Sequence, residues 1–213
     1  TNLFGGFTEA DEAFFEELAN TSLQNSVFVD CTASSDISYK YLNLFESGYS
    51  VVASNKITFA APYSQYQALK TAAVANGVSL KYETTVGAAL PILESVARSV
   101  NSGDEIRRIE AVLSGTLNYI FSTYRGGEDG KTFHDVVLHA QEAGYSEPDP
   151  RLDLSGRDVL RKLLIISREA GVPVNESDVE INPILGPEFF KGKVPEFYDK
   201  LAASEQQFAA SYR

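Results

Sequence analysis

The stretch SVFVDCTASSDISYKYLNLFESGYSVVASNK, Ser26 to Lys56, decides the fold. It opens on a β-branched and aromatic run, Ser26–Ser34, that ends in small polar residues. This reads as a buried strand running into a loop. Ile37, Tyr41, Leu44 and Phe45 then recur at helical spacing, and Gly48 ends that helix. Tyr49–Lys56 is a second strand with a polar end. Downstream, YSQYQALKTAAVANG closes a helix on Gly77, and VSLKYE is a third strand. Strand, helix, strand, helix, strand with short links predicts a parallel, doubly wound sheet. Upstream, Thr8 reads as the N-cap of a helix reaching Leu18, with acids in its first turn.

The pattern changes after Glu83. VGAALPILESVARSVNSG holds a helix with Pro91 suited to its first turn. DEIRRIEAVLS, Asp104–Ser114, alternates and reads as a strand with one covered face. GTLNYIFSTY and TFHDVVLHAQEAG are helices on either side of the turn-rich RGGEDGK. SGRDVLRKLLIISREAG is the strongest helix, with Ser155 as cap and Val159, Leu160, Leu163, Leu164 and Ile166 as its apolar face. PEFYDKLAASEQQFAASYR is a closing amphipathic helix. The expected class is α/β: a partial parallel-sheet domain over residues 1–85, then an α+β domain with a mixed sheet over 86–213.

Composition narrows the function. The chain has 213 residues, 44% of them hydrophobic, enough to bury a core in one large or two small domains. A net charge of -11 argues against sequence-independent nucleic-acid binding and against an anionic membrane surface. It leaves room for a phosphate-bearing cofactor, which a few backbone N–H groups can hold. The single cysteine, Cys31, allows no intrachain disulfide and points to a reducing, cytoplasmic setting. There is no apolar run of membrane-spanning length. The absence of Met and an opening on Thr1 in mid-domain read as an excised chain.

Three stretches carry candidate chemistry. DCTAS and SNK are strand ends that would face one crevice. Thr32, Ala33 and Ser34 let a ligand approach the backbone, and Lys56 can meet a phosphate or a carboxylate. The same residues also serve as ordinary strand caps. A Gly-rich G-x-G-x-x-G turn is absent; the nearest feature, FGGF at Phe4–Phe7, has no strand before it. ETTVGAALP, Glu83–Pro91, is either a simple strand-to-helix turn or a set of carbonyls able to hold a hard cation, with Glu83 adding charge.

The third stretch is AGYSEPDPRLDLSGRDVLRKL, Ala143–Leu163. Pro148 and Pro150 stiffen a loop, and Asp153 and Ser155 can cap the helix that follows. Asp158 and Lys162 share a helix face and would form an exposed pair contributing only about 0.3–0.5 kcal/mol. Against that, the neighbouring apolar run would disfavour a charged lysine, in the direction useful for proton transfer, while the nearby carboxylate would oppose it, and the sequence leaves both effects open. His134 and His139 are five apart and do not share a face, so both read as ordinary helix residues. Cys31 reads as a small buried group with no nearby base.

VDCTAS, SNK, YETTVGAALPI, LSGTLNYI and above all AGYSEPDPRLDLSGRDVLRKLLI together resemble homoserine dehydrogenase. The likeness is greatest to the dehydrogenase half of bifunctional aspartokinase–homoserine dehydrogenases. It runs from about Val27 to about Pro183, and more weakly to the end. The resemblance implies a partial NAD(P)-binding Rossmann domain and a catalytic and dimerisation domain. The implied activity is reversible reduction of aspartate semialdehyde to homoserine with NAD or NADP, on the route to threonine, methionine and isoleucine.

It also implies roles by position. Thr32 would bind the cofactor, with Ala33 and Ser34 beside it and Gly144 also in contact. Lys56 would lie close to nicotinamide and substrate. Glu147 and Asp158 would hold the substrate through its ammonium group, and Lys162 would be the proton donor. Glu83, Val86, Ala88 and Leu90 would form a sodium site from backbone carbonyls. A homodimer or higher oligomer and fusion to an aspartokinase are implied partners. The family's Gly-rich turn and its closing segment have no counterpart here, which reads as a fragment. Two rivals remain: another amino-acid- or semialdehyde-linked dehydrogenase, and a truncated module that only binds or dimerises. Cys31 lies in the cofactor half, away from where an acylating semialdehyde enzyme would need its nucleophile.

Overall fold

The structure is a computed structural model and describes residues 12–21, 25–146 and 149–212. The FGGF turn, the Thr8 cap and Glu147 lie outside the described residues. The chain divides into two compact units. One comprises the chain through Arg107 with Arg161–Asp178; the other comprises Arg108–Leu160 with Val179–Arg213.

The first unit runs α1 (Glu12–Thr21), β1 (Val27–Asp30), α2 (Ser35–Ser38), α3 (Tyr41–Glu46), β2 (Ser50–Ala53), α4 (Tyr63–Ala75), β3 (Leu80–Lys81) and α5 (Ile92–Asn101). The strands are parallel in the order β1-β2-β3, with Asp30 opposite Ala53 and Val52 opposite Lys81. The connections through α3 and α4 are long enough to return the chain to the same end of the sheet, as parallel pairing needs. Val51 and Ala53 are buried, as are Leu44 and Phe45 of α3 and Leu69 of α4. On the opposite face Val27, Val29 and Val52 are 56%, 61% and 40% exposed. β1 is therefore covered on one face only and is not the buried strand its composition suggests.

Two further expectations change here. The helix read across Ile37–Phe45 is two helices, broken at Tyr39–Lys40. Ser34 caps the first by accepting from the Ile37 N–H, and the break aims the Tyr41 hydroxyl at Asp30. The strand read over Asp104–Ser114 is not formed, and with it goes the mixed second sheet: among the described residues the only strands are β1–β3. A strand persists only when a neighbour takes its N–H and C=O groups. No described strand pairs with this segment, and Ile109 and Val112 stand 38% and 76% exposed.

The second unit holds α6 (Gly115–Thr123), α7 (Phe133–Glu142), α8 (Arg151–Leu154), the start of α9 (Arg157–Glu169), α10 (Val194–Ala203) and α11 (Glu205–Tyr212). Its core gathers Ile120, Phe133, Val137, Phe197, Leu201 and Phe208. Thr132 and Asp135 form a capping box that starts α7. The single closing helix expected is broken at Ser204. The break frees Glu205 to accept from the Tyr124 hydroxyl at 2.8 Å and from the Phe133 N–H, at the start of α7, at 2.7 Å.

The unit boundary falls within α9, after Leu160. Leu160, Leu164, Ile165 and Ile166 are buried, whereas Leu163, expected on the apolar face, is 37% exposed. Among the described residues no helix is long and apolar enough to cross a membrane.

Candidate active site

The ends of β1 and β2 are built around one buried carboxylate. Asp30 is 1% exposed. One of its oxygens accepts from both the backbone N–H and the hydroxyl of Thr32, each at 2.7 Å. The other accepts from the Tyr41 hydroxyl at 2.5 Å and from the Asn55 amide at 3.0 Å. Burial, then the hydrogen bond and charge of Asp30, hold the Tyr41 hydroxyl well above the ordinary tyrosine range. Asn55 also donates to the Ser34 carbonyl at 2.8 Å.

The loops after the two strands are thus cross-linked, and Thr32, Ala33, Ser34 and Lys56 emerge from one linked framework. Thr32 and Ala33 are exposed and Ser34 is partly buried, so small side chains line the open strand ends. Cys31, expected to be buried, is exposed there as well, because the chain has already left the sheet. Two residues beyond Lys56, the Thr58 hydroxyl is buried with no hydrogen-bond partner among the described residues.

Glu83 and its turn have a defined structural task. Pro91 occupies the N-cap of α5 and makes no side-chain cap bond. The Glu83 carboxylate takes over, one oxygen accepting from Leu93 N–H at 2.8 Å and the other from Glu94 N–H at 2.9 Å. A negative charge suits that helix end. Gly87 (φ 81°) and Ala88 (φ 52°) both adopt left-handed backbone, so the peptide planes turn sharply between Val86 and Leu90. The Leu90 carbonyl already accepts from Ile92 N–H. Among the described residues no group of three or more His, Cys, Asp or Glu side chains could hold a metal ion. Any cation in this turn would rest on carbonyl oxygens, the donors that hard cations prefer.

On α9, Lys162 is partly buried and shares a face with Ile165 and Ile166, which are 0% and 3% exposed. Lys162 belongs to the first unit, with Thr32, Ala33, Ser34, Lys56 and the Glu83–Leu90 turn; Asp158 and Gly144 belong to the second. Gly144 (φ 75°) ends α7.

Asp149 and Asp153, earlier in the same stretch, have partners within the second unit. Asp149 receives two side-chain hydrogen bonds from Arg151, at 2.8 and 2.6 Å. Those bonds hold its carboxyl below the usual range. Asp153, expected to cap a helix, instead lies 3.1 Å from the Thr116 hydroxyl, which donates to the Tyr145 carbonyl at 2.5 Å.

Asp30, Asn55 and Thr116 were not singled out from sequence. A faint signal existed for the first two. Asp followed two residues later by Thr at a strand end is an Asx-type turn. Asn55 immediately precedes the singled-out Lys56.

A parallel sheet whose open strand ends carry small and polar groups defines, at the level of class, an open α/β protein with a ligand-sized crevice at its strand ends. A family model described as homoserine dehydrogenase matches residues 91–211, and one described as the homoserine dehydrogenase NAD binding domain matches residues 8–83. The chain belongs to the homoserine dehydrogenase family.

It is 38% identical to the chloroplastic bifunctional aspartokinase/homoserine dehydrogenase 1 of Zea mays, over 95% of this chain and 22% of that one. It is 36% identical to a homoserine dehydrogenase of Emericella nidulans, over 85% of this chain and 53% of that one. A hyperthermophilic archaeal homoserine dehydrogenase solved in complex with NADPH superposes with a TM-score of 0.61 at 30% identity, over 69% of this chain and 44% of that one. The chain thus spans about a fifth of the bifunctional relative and about half of the fungal one.

Proposed function

We propose that the protein acts as an NAD(P)-dependent homoserine dehydrogenase, reversibly reducing aspartate semialdehyde to homoserine. The observation that carries this reading is that matches to the cofactor part and the catalytic part of one family lie on the same chain, at residues 8–83 and 91–211. The gap between them supports a domain boundary near residue 85.

The nicotinamide, when bound, supplies the hydride. Thr32, Ala33 and Ser34 contact the cofactor on the loop that Asp30 shapes, and Gly144 adds a backbone contact. Lys56 faces nicotinamide and substrate. Glu147 and Asp158 hold the substrate ammonium by charge-assisted hydrogen bonds. The Lys162 ammonium stabilises negative charge developing on the aldehyde oxygen and then delivers its proton there.

Glu83, Val86, Ala88 and Leu90 hold sodium through main-chain oxygens, with the Glu83 carboxylate adding charge beside them. The lone cysteine suits a reducing compartment such as the cytosol. A homodimer and fusion to an aspartokinase complete the reading; the Zea mays relative carries such a fusion in its name.

The test is Lys162→Ala in the full-length protein. Turnover should fall by about 100-fold or more, the scale of a lost general acid, while nucleotide affinity stays within about twofold. Turnover surviving within a few-fold overturns the donor role. Asp158→Ala should chiefly raise the Michaelis constant for homoserine.

A further inference from the structure

Arg168, near the C-terminal end of α9, is 5% exposed, a fully charged side chain inside the first unit. It is held by main-chain carbonyls. Nη1 donates to the Phe59 carbonyl at 2.6 Å, and Nε and Nη2 donate to the Val174 carbonyl at 3.1 and 2.9 Å. Its guanidinium carbon also lies 5.8 Å from the Tyr63 ring centroid and 5.3 Å from that of Tyr66. Burying such a charge costs several kcal/mol before its partners offset it, on the order of the penalty for any buried ion.

The partners say what the charge secures. Phe59 sits in the single turn Thr58–Ala60, which begins two residues after Lys56, and Ala60 N–H donates to the Lys56 carbonyl at 3.0 Å. Arg168 therefore ties α9 to the turn that follows Lys56. Lys162 lies six residues earlier on the same helix, roughly 9 Å along its axis.

The next residue makes a second tie. One oxygen of Glu169 accepts from the Tyr66 hydroxyl at 2.6 Å, from the Tyr82 hydroxyl, and from Lys70 at 3.1 Å. The Tyr82 ring stacks on Phe59, with centroids 4.0 Å apart and planes at 18°. Both ties converge on Phe59, one on its carbonyl and one on its ring. Gly171 (φ 88°) turns the chain back so that Val174 can meet Arg168.

We infer that Arg168, seconded by Glu169, is a positioning residue that sets Lys162 against the turn carrying Lys56. The inference rests on the proposed roles of those two lysines. A rigid helix transmits a shift at its anchored end to every side chain it carries. A misplacement of about 1 Å at a reacting group can cost about 100-fold in rate.

The experiment compares Arg168→Lys, Glu169→Gln and Lys162→Ala in the full-length protein. It measures kcat, the Michaelis constants, nucleotide dissociation constants and the isotope effect with 4-deuterated nicotinamide. Arg168→Lys keeps the charge and loses the forked geometry. Its kcat should fall about ten- to 100-fold, with nucleotide affinity within about twofold and a larger isotope effect, because the chemical step alone is slowed. Glu169→Gln should show the same pattern more weakly.

If Arg168→Lys loses its circular-dichroism spectrum, Tyr82→Phe takes its place, since it removes one donor to Glu169 and keeps the ring on Phe59. A folded variant with kcat within about twofold of wild type overturns the positioning role while Lys162→Ala still abolishes turnover. Equal losses in kcat and nucleotide affinity overturn it too, because they mark general loosening of the fold. An active Lys162→Ala removes the donor assignment itself, and the positioning role falls with it.

Discussion

The side chain of Asn55 donates to the Asp30 carboxylate at 3.0 Å and so joins the end of β2 to the end of β1. Asp30 is the acceptor on which four donors converge. Asp30→Ala would leave the buried Tyr41 hydroxyl and the Asn55 amide without that acceptor. A buried orphaned polar group costs about 1–3 kcal/mol, so the variant should lose about 3 kcal/mol in urea unfolding. Its nucleotide affinity should drop as well, because the Thr32–Ser34 loop loses its anchor. A loss below about 1 kcal/mol would show that the loop is held from elsewhere.

Stability should plateau across neutral pH and fall on both sides, with separate causes. On the acid side, burial raises Glu169, but hydrogen bonds from Tyr66 and Tyr82 and the charge of Lys70 outweigh it, so its folded-state value lies below the ordinary 4.5. A depressed carboxylate contributes stability that is present above 4.5 and is lost as pH falls through the folded value. On the alkaline side, burial and then the Glu169 charge raise both Tyr66 and Tyr82 above the ordinary 10.0. Their contribution is complete below 10.0 and is lost as pH rises above it, since the unfolded chain ionises first. Urea midpoints across pH should show Glu169→Gln with a shallower acid limb than wild type. Superimposable acid limbs would remove Glu169 as the cause.

Gly87→Ala tests the turn that carries the proposed cation carbonyls. A Cβ there would stand 2.4 Å from Ile92 Cδ1, but that methyl can swing aside. The φ of +81° cannot be relieved so cheaply. Left-handed backbone costs a non-glycine residue about 1–2 kcal/mol, and thermal unfolding should register that loss. Ala88→Gly, at φ 52°, should be neutral or slightly stabilising in the same assay.

Much of the fold was legible from local pattern. The strand–helix alternation of Ser26–Glu83 correctly announced a parallel sheet, because period and punctuation are carried by neighbouring residues. α9 was legible for the same reason, though its buried stripe includes Ile165 and leaves out Leu163. The strand expected at Asp104–Ser114 shows the limit of such reading. Alternation describes what a segment can do, and pairing depends on a partner that the segment does not contain.

What the chain determined by itself was the parallel direction of β1–β3, the strong helix α9, and an extended motif specific enough to name a family. Tertiary structure alone decided which polar groups are buried and what they hold. Arg168 meets the Phe59 carbonyl 109 residues away, and Glu169 meets Tyr82 87 residues away. Hydrophobic periodicity encodes which face of an element turns inward. The partner of a buried charge is set by distances between elements remote in sequence, and those exist only once the chain has folded.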